Sequence, residues 1–546
     1  MAISSLGANG LWLGSMLPEA ARFWASAGRL ATTQAALLRG YLDANRETEY
    51  GRRHSFASIR TPREFQRAVP LSTYDDYATA IDRLGRREGN LLTSEPVRLF
   101  EPSSGSTAAS KLIPYTARLK AEFGRGIAPW IVDLYRHRPA LMGGRAYWSI
   151  TPLAGGPRST PAGIPIGFEE DSAYLGTLGR GLVESVLTVP GAVKGLGDVE
   201  TFRYASLLFL LRDRSLRLIS VWNPTYLELL LAPLGRWWGR LIADVSRGGI
   251  DPPAEISPGL LEVLARTLPP DPARARELAR LSPSGYLGIW PDLGLLSCWA
   301  DGPSRGYAEQ LAALFPGVHL QPKGLLATEA FVTLPILSAP APVLAARSHF
   351  FEFVPDGEGE PVLAHEVEVG RSYSVVVTTG GGFYRYQLRD RAEVVGFYRG
   401  LPCLRFLGKT DQLSDYFGEK LEDGFVAGVV AEVLASRGCT SSFTLLAPDE
   451  DATGFRYVLY LETETADVPA ASLAEELDRG LRRNFHYDYC RRLGQLAPAE
   501  VVLLRSGASE LYLDACRERG QRLGNIKPLT LQKTTGWRQR FESLRY

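Results

Sequence analysis

Several classes of function are closed to this chain by what it lacks. It has only five cysteines in 546 residues, at Cys298, Cys403, Cys439, Cys490 and Cys516. Their odd number, wide spacing and lack of any Cys-x-x-Cys pair exclude a disulfide framework and a cysteine zinc site, and imply reduced, mostly buried thiols. The six histidines (His54, His137, His319, His349, His365, His486) show no metal-ligand clustering and no nucleophile partner, so each is read as structural. Neither sign of charge prevails: 61 basic against 60 acidic residues leave +1. That balance argues against nucleic acid or an acidic membrane as a partner, while leaving room for a local basic pocket. The apolar stretch from Leu11 to Trp24 is broken by Glu19 and Arg22 and has no basic segment before it. Neither a signal peptide nor a membrane span is expected, and the expected location is cytoplasmic.

What is present is an ordinary globular composition, 45% hydrophobic and 22% charged, in a chain too long for one core. Apolar residues at helical spacing (Leu30, Ala35, Leu37, Leu38, Tyr41, Leu42) predict amphipathic helices over 12–50. Another helix is expected to begin at Pro70, Ser72 and Tyr74, a buried strand at 97–100, and Thr116 should cap the helix that follows. Strand-like runs at 146–150 and 217–221 alternate with long helical stretches, which predicts α/β layering. Strands are expected at 350–354, 372–378 and 393–398. Beyond Asp423, helices at 425–436 and from Ser472, with strands at 442–446, 456–462 and 501–504, predict a compact α+β unit of ordinary domain size. The expected fold is therefore α/β: a large N-terminal domain of layered β-sheets and helices, residues 1–415, and a small α+β C-terminal domain, 416–546, with a hinge at 411–424.

Four segments carry residues suited to chemistry. Ser103-Ser104-Gly105-Ser106-Thr107 leads through Ala108-Ala109-Ser110 to Lys111. Small side chains let backbone N–H groups approach phosphate oxygens, hydroxyls add donors, and the lysine adds charge; the Gly-Lys-Ser/Thr ending of a Walker A loop is absent. A Ser-rich surface loop is the alternative. In Gly324-Leu325-Leu326-Ala327-Thr328-Glu329, a carboxylate ending an apolar strand can ligate Mg²⁺ on nucleotide phosphates, though most such glutamates simply face solvent. Gly380-Gly381-Gly382 reads as a flexible turn, and the run from Phe383 through Tyr384 and Tyr386 ends at Asp390. That aspartate can accept both ribose hydroxyls while an aromatic ring stacks on adenine; a hairpin with a solvated acidic end is the alternative. The fourth segment runs from Phe406-Leu407-Gly408-Lys409-Thr410-Asp411-Gln412 to Phe417-Gly418-Glu419-Lys420, across the expected hinge.

Taken in order, these segments resemble the Gretchen Hagen acyl-acid amido synthetases, the auxin-responsive promoter family of the adenylate-forming superfamily. The resemblance takes in Asn45 to Tyr50, Val69-Pro70, the Ser-Ser-Gly-Ser-Thr turn, Trp290-Pro291-Asp292, Ala-Thr-Glu, Phe351-Glu352-Phe353, Tyr384-Arg385-Tyr386 with Asp390, and Gly408 to Gln412. It closes with Gly524-Asn525-Ile526-Lys527-Pro528. It implies ATP and Mg²⁺, with the phosphates held by Ser103 to Thr107 and Lys111, the metal by Glu329, and the nucleotide contacted by Thr328, Tyr384, Asp390 and Lys409. It implies further that Lys420 and Lys527 are catalytic cations delivered by rotation of the small domain. An acid and ATP would give acyl-AMP, whose acyl group then passes to an amino acid or other amine. Coenzyme A or a carrier-protein thiol is the alternative acceptor, and a non-catalytic ligand-binding relative the other alternative. Three positions depart from the family pattern: the turn lacks its second glycine, Arg389 stands where glycine is usual, and Lys409 replaces an arginine with its planar donor fork. Arg118 and Arg125 could pair with a substrate carboxylate, a solvated helix face being the other reading.

Overall fold

Apolar spacing of three and four residues builds the first layer. In the computed structural model, the helix Ser5–Ser26 buries Ala8, Trp12, Met16, Ala20 and Phe23 along one stripe. Trp12 meets Tyr135 of the helix Ala117–His137 edge-on, with centroids 6.1 Å apart. The structure describes residues 5–102, 111–149, 158–167, 182, 185–301, 304–356, 359–409, 413–414, 416–417, 419–451, 454–463, 469–492, 494–519, 521, 526 and 529–546. Among these, no helix is long and apolar enough to cross a membrane, and all five cysteines are free and buried.

The chain forms two compact units, one comprising Met1–Ala300, Arg305–Leu388 and Ala392–Phe406, the other Asp301–Ser304, Arg389–Arg391 and Leu407–Tyr546. In the larger unit, the strands Arg145–Trp148, Leu216–Ser220, Leu295–Cys298 and His319–Pro322 lie side by side and all parallel. Parallel neighbours need crossover connections, which are supplied here by helices such as Val199–Arg212 and Leu234–Arg247. Their Phe202, Leu207, Leu208, Leu211, Trp237 and Leu241 fill one core with Leu216, Ile219 and Leu296 of the sheet. A second, seven-stranded sheet has Phe350–Pro355 antiparallel to Ser372–Thr378, the latter beside the long strand Tyr386–Tyr398.

In the smaller unit, Phe443–Asp451 pairs antiparallel with Gly454–Glu462, which pairs parallel with Glu500–Leu504. Alternation of side chains along the strands sorts two faces. Leu446, Leu459, Leu461 and Val501 pack with Val426, Val430 and Leu477 of the helices Asp423–Ser436 and Ala470–Leu481. On the other face Leu445, Val458, Tyr460 and Val502 pack with Tyr512, Trp537 and Phe541.

One expected element differs. No helix starts at Pro70 to Tyr74; it starts at Ala78. Ser72 instead forms a parallel bridge with Tyr386: its N–H donates to Arg385 O at 3.0 Å, and its carbonyl accepts from Gln387 N at 2.9 Å. Two backbone bonds to a buried strand outweigh a weak local helical preference. Thr116 does cap its helix, accepting the Leu119 N–H at 3.1 Å.

Candidate functional site

Residues Ser103, Ser104, Gly105, Ser106 and Thr107 lie outside the described residues, as does Lys527. The flanks of the hydroxyl-rich segment are described. Leu99–Pro102 and Leu112–Tyr115 are antiparallel, in register from Leu99↔Tyr115 to Pro102↔Leu112. Lys111 stands at the end of this pair with its ammonium 5.5 Å from the centre of the Tyr74 ring. Tyr74 is itself fixed by accepting the Leu112 N–H at 2.9 Å.

Thr328 and Glu329 occupy the tip of a small hairpin. Leu326 bridges Phe331, and Ala327 N donates to Ala330 O at 3.0 Å. Gly324 is required at its base, because a Cβ there would lie 2.3 Å from Thr333 O. Two tyrosines hold the tip: Tyr115 OH donates to Thr328 O at 2.6 Å, and Tyr386 OH donates to Glu329 Oε1 at 3.3 Å. Three separate sequence segments thus meet at this tip: the strand after the hydroxyl-rich turn holds the Thr328 carbonyl, and the Tyr-Arg-Tyr strand reaches the Glu329 carboxylate.

Tyr384 requires a correction. It is fully buried, its ring stacks on Tyr50 at 4.8 Å, and its hydroxyl donates to Leu92 O at 2.7 Å. A ring enclosed in this way is a core residue and has no face for a nucleotide. The glycines beside it are not a flexible turn either. The Gly380 N–H donates to Glu122 at 2.9 Å, the Gly380 carbonyl accepts from Thr116 Oγ1 at 2.9 Å, and a Cβ on Gly381 would sit 2.8 Å from Pro114 O.

The two aromatic motifs that flank a charge prove to be one feature. Arg385 and Glu352 are both buried, with the guanidinium Nε 3.1 Å from each carboxylate oxygen and a further nitrogen 3.0 Å away. Arg385 also donates to Gln66 O and Val69 O, each at 2.7 Å, so every partner is a scaffold group. Arg118 and Arg125 are likewise scaffold. Arg118 donates to Gly40 O at 3.0 Å and covers the Tyr41 ring, and Arg125 donates to Arg347 O at 3.4 Å. His349 is structural too: Nε2 accepts the Phe331 N–H at 3.0 Å, while Nδ1 faces Glu122 at 3.1 Å but off a hydrogen-bond axis.

In the smaller unit, Asp390 is only 2% exposed, and its Oδ1 has no hydrogen-bond partner among the described residues. Lys409 Nζ lies 3.5 Å from that same oxygen, an ion pair without a hydrogen bond. A buried acceptor in this state suits a ligand hydroxyl. Lys420 is exposed, in a left-handed conformation (φ 45°), with its carbonyl accepting from Asn484 at 3.1 Å. The segment after Lys527 is anchored: Asp423 accepts the Leu531 N–H at 2.7 Å, and Leu531 bridges Leu446.

Comparison with known proteins agrees along almost the whole length. Residues 20–320 match the GH3 family N-terminal domain, 342–409 the GH3 family central domain and 426–535 the GH3 family C-terminal domain. The chain belongs to the GH3 family. Among similar GH3 relatives are the probable indole-3-acetic acid-amido synthetase GH3.1 of Arabidopsis thaliana, 26% identical with 91% of this chain and 88% of the relative covered. Indole-3-acetic acid-amido synthetase GH3.4 of the same species is 25% identical, with 91% and 88% covered. The solved AtGH3.15 acyl acid amido synthetase in complex with 2,4-DB shares the fold, with TM-score 0.82, 20% identity, and 98% and 96% of the two chains covered. One departure from the GH3 pattern has a visible geometric basis. Arg389, where glycine is usual, adopts φ 61°, a left-handed conformation that favours glycine.

Proposed function

We propose that this chain is an ATP-dependent acyl-acid amido synthetase: it adenylates a carboxylic acid, then passes the acyl group to an amino acid or other amine and releases AMP. The observation that carries the proposal is the match of all three GH3 domains in order over residues 20–535, with relatives named as amido synthetases. In the first half-reaction a carboxylate oxygen attacks the α-phosphorus and pyrophosphate leaves. In the second, the amine nitrogen attacks the acyl carbon, gives up its proton, and AMP leaves. The mixed anhydride is already electrophilic, so no side-chain nucleophile is needed.

Roles follow from the chemistry of each group. Ser103 to Thr107 and Lys111 hold phosphate oxygens, with Thr328 as a further nucleotide contact. The buried Asp390 carboxylate, whose Oδ1 has no hydrogen-bond donor among the described residues, accepts ribose hydroxyls, with Lys409 limiting its charge. Lys420 and Lys527 neutralise charge on the reacting carboxylate and α-phosphate, and the C-terminal unit turns between the half-reactions. Glu329 is the residue that would hold Mg²⁺. No cluster of three or more metal-binding side chains occurs among the described residues, and a single carboxylate is the donor set of a hydrated Mg²⁺ shared with phosphates. When bound, that ion supplies positive charge to the phosphates. A cytoplasmic location belongs to the same proposal, supported by five buried thiols without a disulfide.

The test is ATP–pyrophosphate exchange over a library of acids, followed by product masses after adding amines. Acid-dependent exchange and an amide product are expected. Release of ADP, or a thioester with coenzyme A and no amide with any amine, refutes the assignment.

A further inference from the structure

The parallel sheet of the larger unit presents an unusual group at its carboxyl edge, the place where open α/β sheets bind ligands. Lys323 directly follows the strand His319–Pro322 and is 93% buried, with 7% exposure. Its ammonium donates to Ser220 Oγ at 2.7 Å, at the end of the strand Leu216–Ser220. Aromatic faces flank it, with the Trp130 and Trp222 ring centres 5.0 and 4.8 Å away, and the buried Cys298 thiol is a further neighbour. No carboxylate pairs with it among the described residues. Burial lowers this amine to about 7, so the fold carries a substantial penalty for the charged form.

A second donor lies beside it. Gln321 is 2% exposed, and its Oε1 accepts from Trp130 Nε1 at 3.0 Å and from Ser297 Oγ at 3.3 Å. An indole N–H can only donate, so the amide orientation is fixed and Nε2 is the remaining donor. That Nε2 has no hydrogen-bond partner among the described residues. Lys323 and Gln321 therefore share the Trp130 wall; among the described residues the ammonium has the one side-chain acceptor Ser220 Oγ, and Gln321 Nε2 has none. Buried donors left so are costly unless a ligand completes them. Trp148 stacks on Trp130 at 6.1 Å, and Trp222 and Trp148 are half-buried, so flat apolar surface adjoins these donors. The placement suits the substrate end of the molecule. Lys323 precedes Glu329 by six residues along a continuous segment, which spans at most roughly 22 Å.

We propose that Lys323, seconded by Gln321, is a specificity-determining residue of the acyl pocket, selecting aryl carboxylic acids that carry a second oxygen acceptor remote from the reacting carboxyl. The proposal rests on the acid-activating function given above. The ammonium and the amide donate to that distal oxygen while the indoles flank the ring; the reacting carboxylate is left for the nucleotide side.

The experiment compares cinnamate, 4-hydroxycinnamate and 4-carboxycinnamate on the wild type, on Lys323→Met, which keeps length without charge, and on Ser220→Ala, which removes only the internal acceptor. Two readouts are taken: thermal shift by each acid alone, and kcat/KM in acid-dependent pyrophosphate exchange. The wild type should favour the oxygenated acids on the order of 10- to 100-fold, the range of a charge-assisted hydrogen bond. In Lys323→Met, kcat/KM for the two oxygenated acids should fall on the order of 10-fold further than kcat/KM for cinnamate, which removes the preference, and Ser220→Ala should keep or sharpen it. Equal loss on all three acids in Lys323→Met, an unchanged preference there, or no preference in the wild type overturns the proposal. If Lys323→Met does not fold, Ser220→Ala decides: loss of the preference overturns the proposal. A thermal-shift preference without any exchange supports the recognition role but refutes acid activation, so the two failures are distinct.

Discussion

Replacing Asp423 by asparagine should make the smaller unit more stable as pH rises. Asp423 opens the helix Asp423–Ser436 and is 4% exposed. Its Oδ1 accepts the Leu531 N–H at 2.7 Å, while Oδ2 has no hydrogen-bond partner among the described residues. Burial dominates and pushes the carboxyl from 3.8 up to about 6, against the opposing pull of the Leu531 and Thr530 backbone. A raised folded-state value means that the unfolded chain releases this proton first. Stability is full below pH ~4 and declines as pH rises through about 6, after which the loss is constant. A shift of roughly two units amounts to about 3 kcal/mol. Asparagine keeps the carbonyl acceptor, puts an N–H group at the Oδ2 position and does not ionise. The Asp423→Asn protein should therefore gain on the wild type by about 3 kcal/mol between pH 4 and pH 7. Amide hydrogen exchange of Phe443–Asp451 and Gly454–Glu462, compared at matched pH, reads this unit directly. A difference that stays flat with pH, or a wild type that gains on the variant, refutes the reasoning. The same bond anchors the chain just downstream of Lys527.

Glu329→Gln should fold normally, since Tyr386 can still donate to it, yet lose acid-dependent pyrophosphate exchange at least ~100-fold; near-normal exchange at saturating Mg²⁺ removes Glu329 from the metal role. Breaking the buried Arg385–Glu352 pair with Arg385→Ala should cost about 3–5 kcal/mol, because a carboxylate is left buried and unpaired. A melting temperature within a degree of wild type contradicts that. Gly380→Ala should destabilise by at least ~1–3 kcal/mol, since its Cβ would lie 2.6 Å from both Arg118 Cγ and Glu122 Oε1. An unchanged denaturation midpoint would mean that the glycine turn is looser than described.

Local pattern alone determined most elements of this protein. The strand expected at 372–378 is Ser372–Thr378, and the helix expected at 425–436 is Asp423–Ser436. Periodicity reports which side of a segment is buried, and burial is what shapes such segments. The order of the chemistry-bearing segments likewise determined the family. What neither pattern nor order contains is the identity of the partner across the core. Glu352 and Arg385 were visible as two motifs, but only the tertiary packing made them a single ion pair. Tyr384 and Tyr386 look equivalent in sequence, yet one is sealed against Tyr50 and the other reaches Glu329. Lys323 carried no sequence signal at all, because its character comes from Trp130, Trp222 and Ser220, which lie far from it along the chain. Local sequence sets the faces of elements, whereas desolvation and pairing depend on which faces meet. Only the tertiary structure decides that.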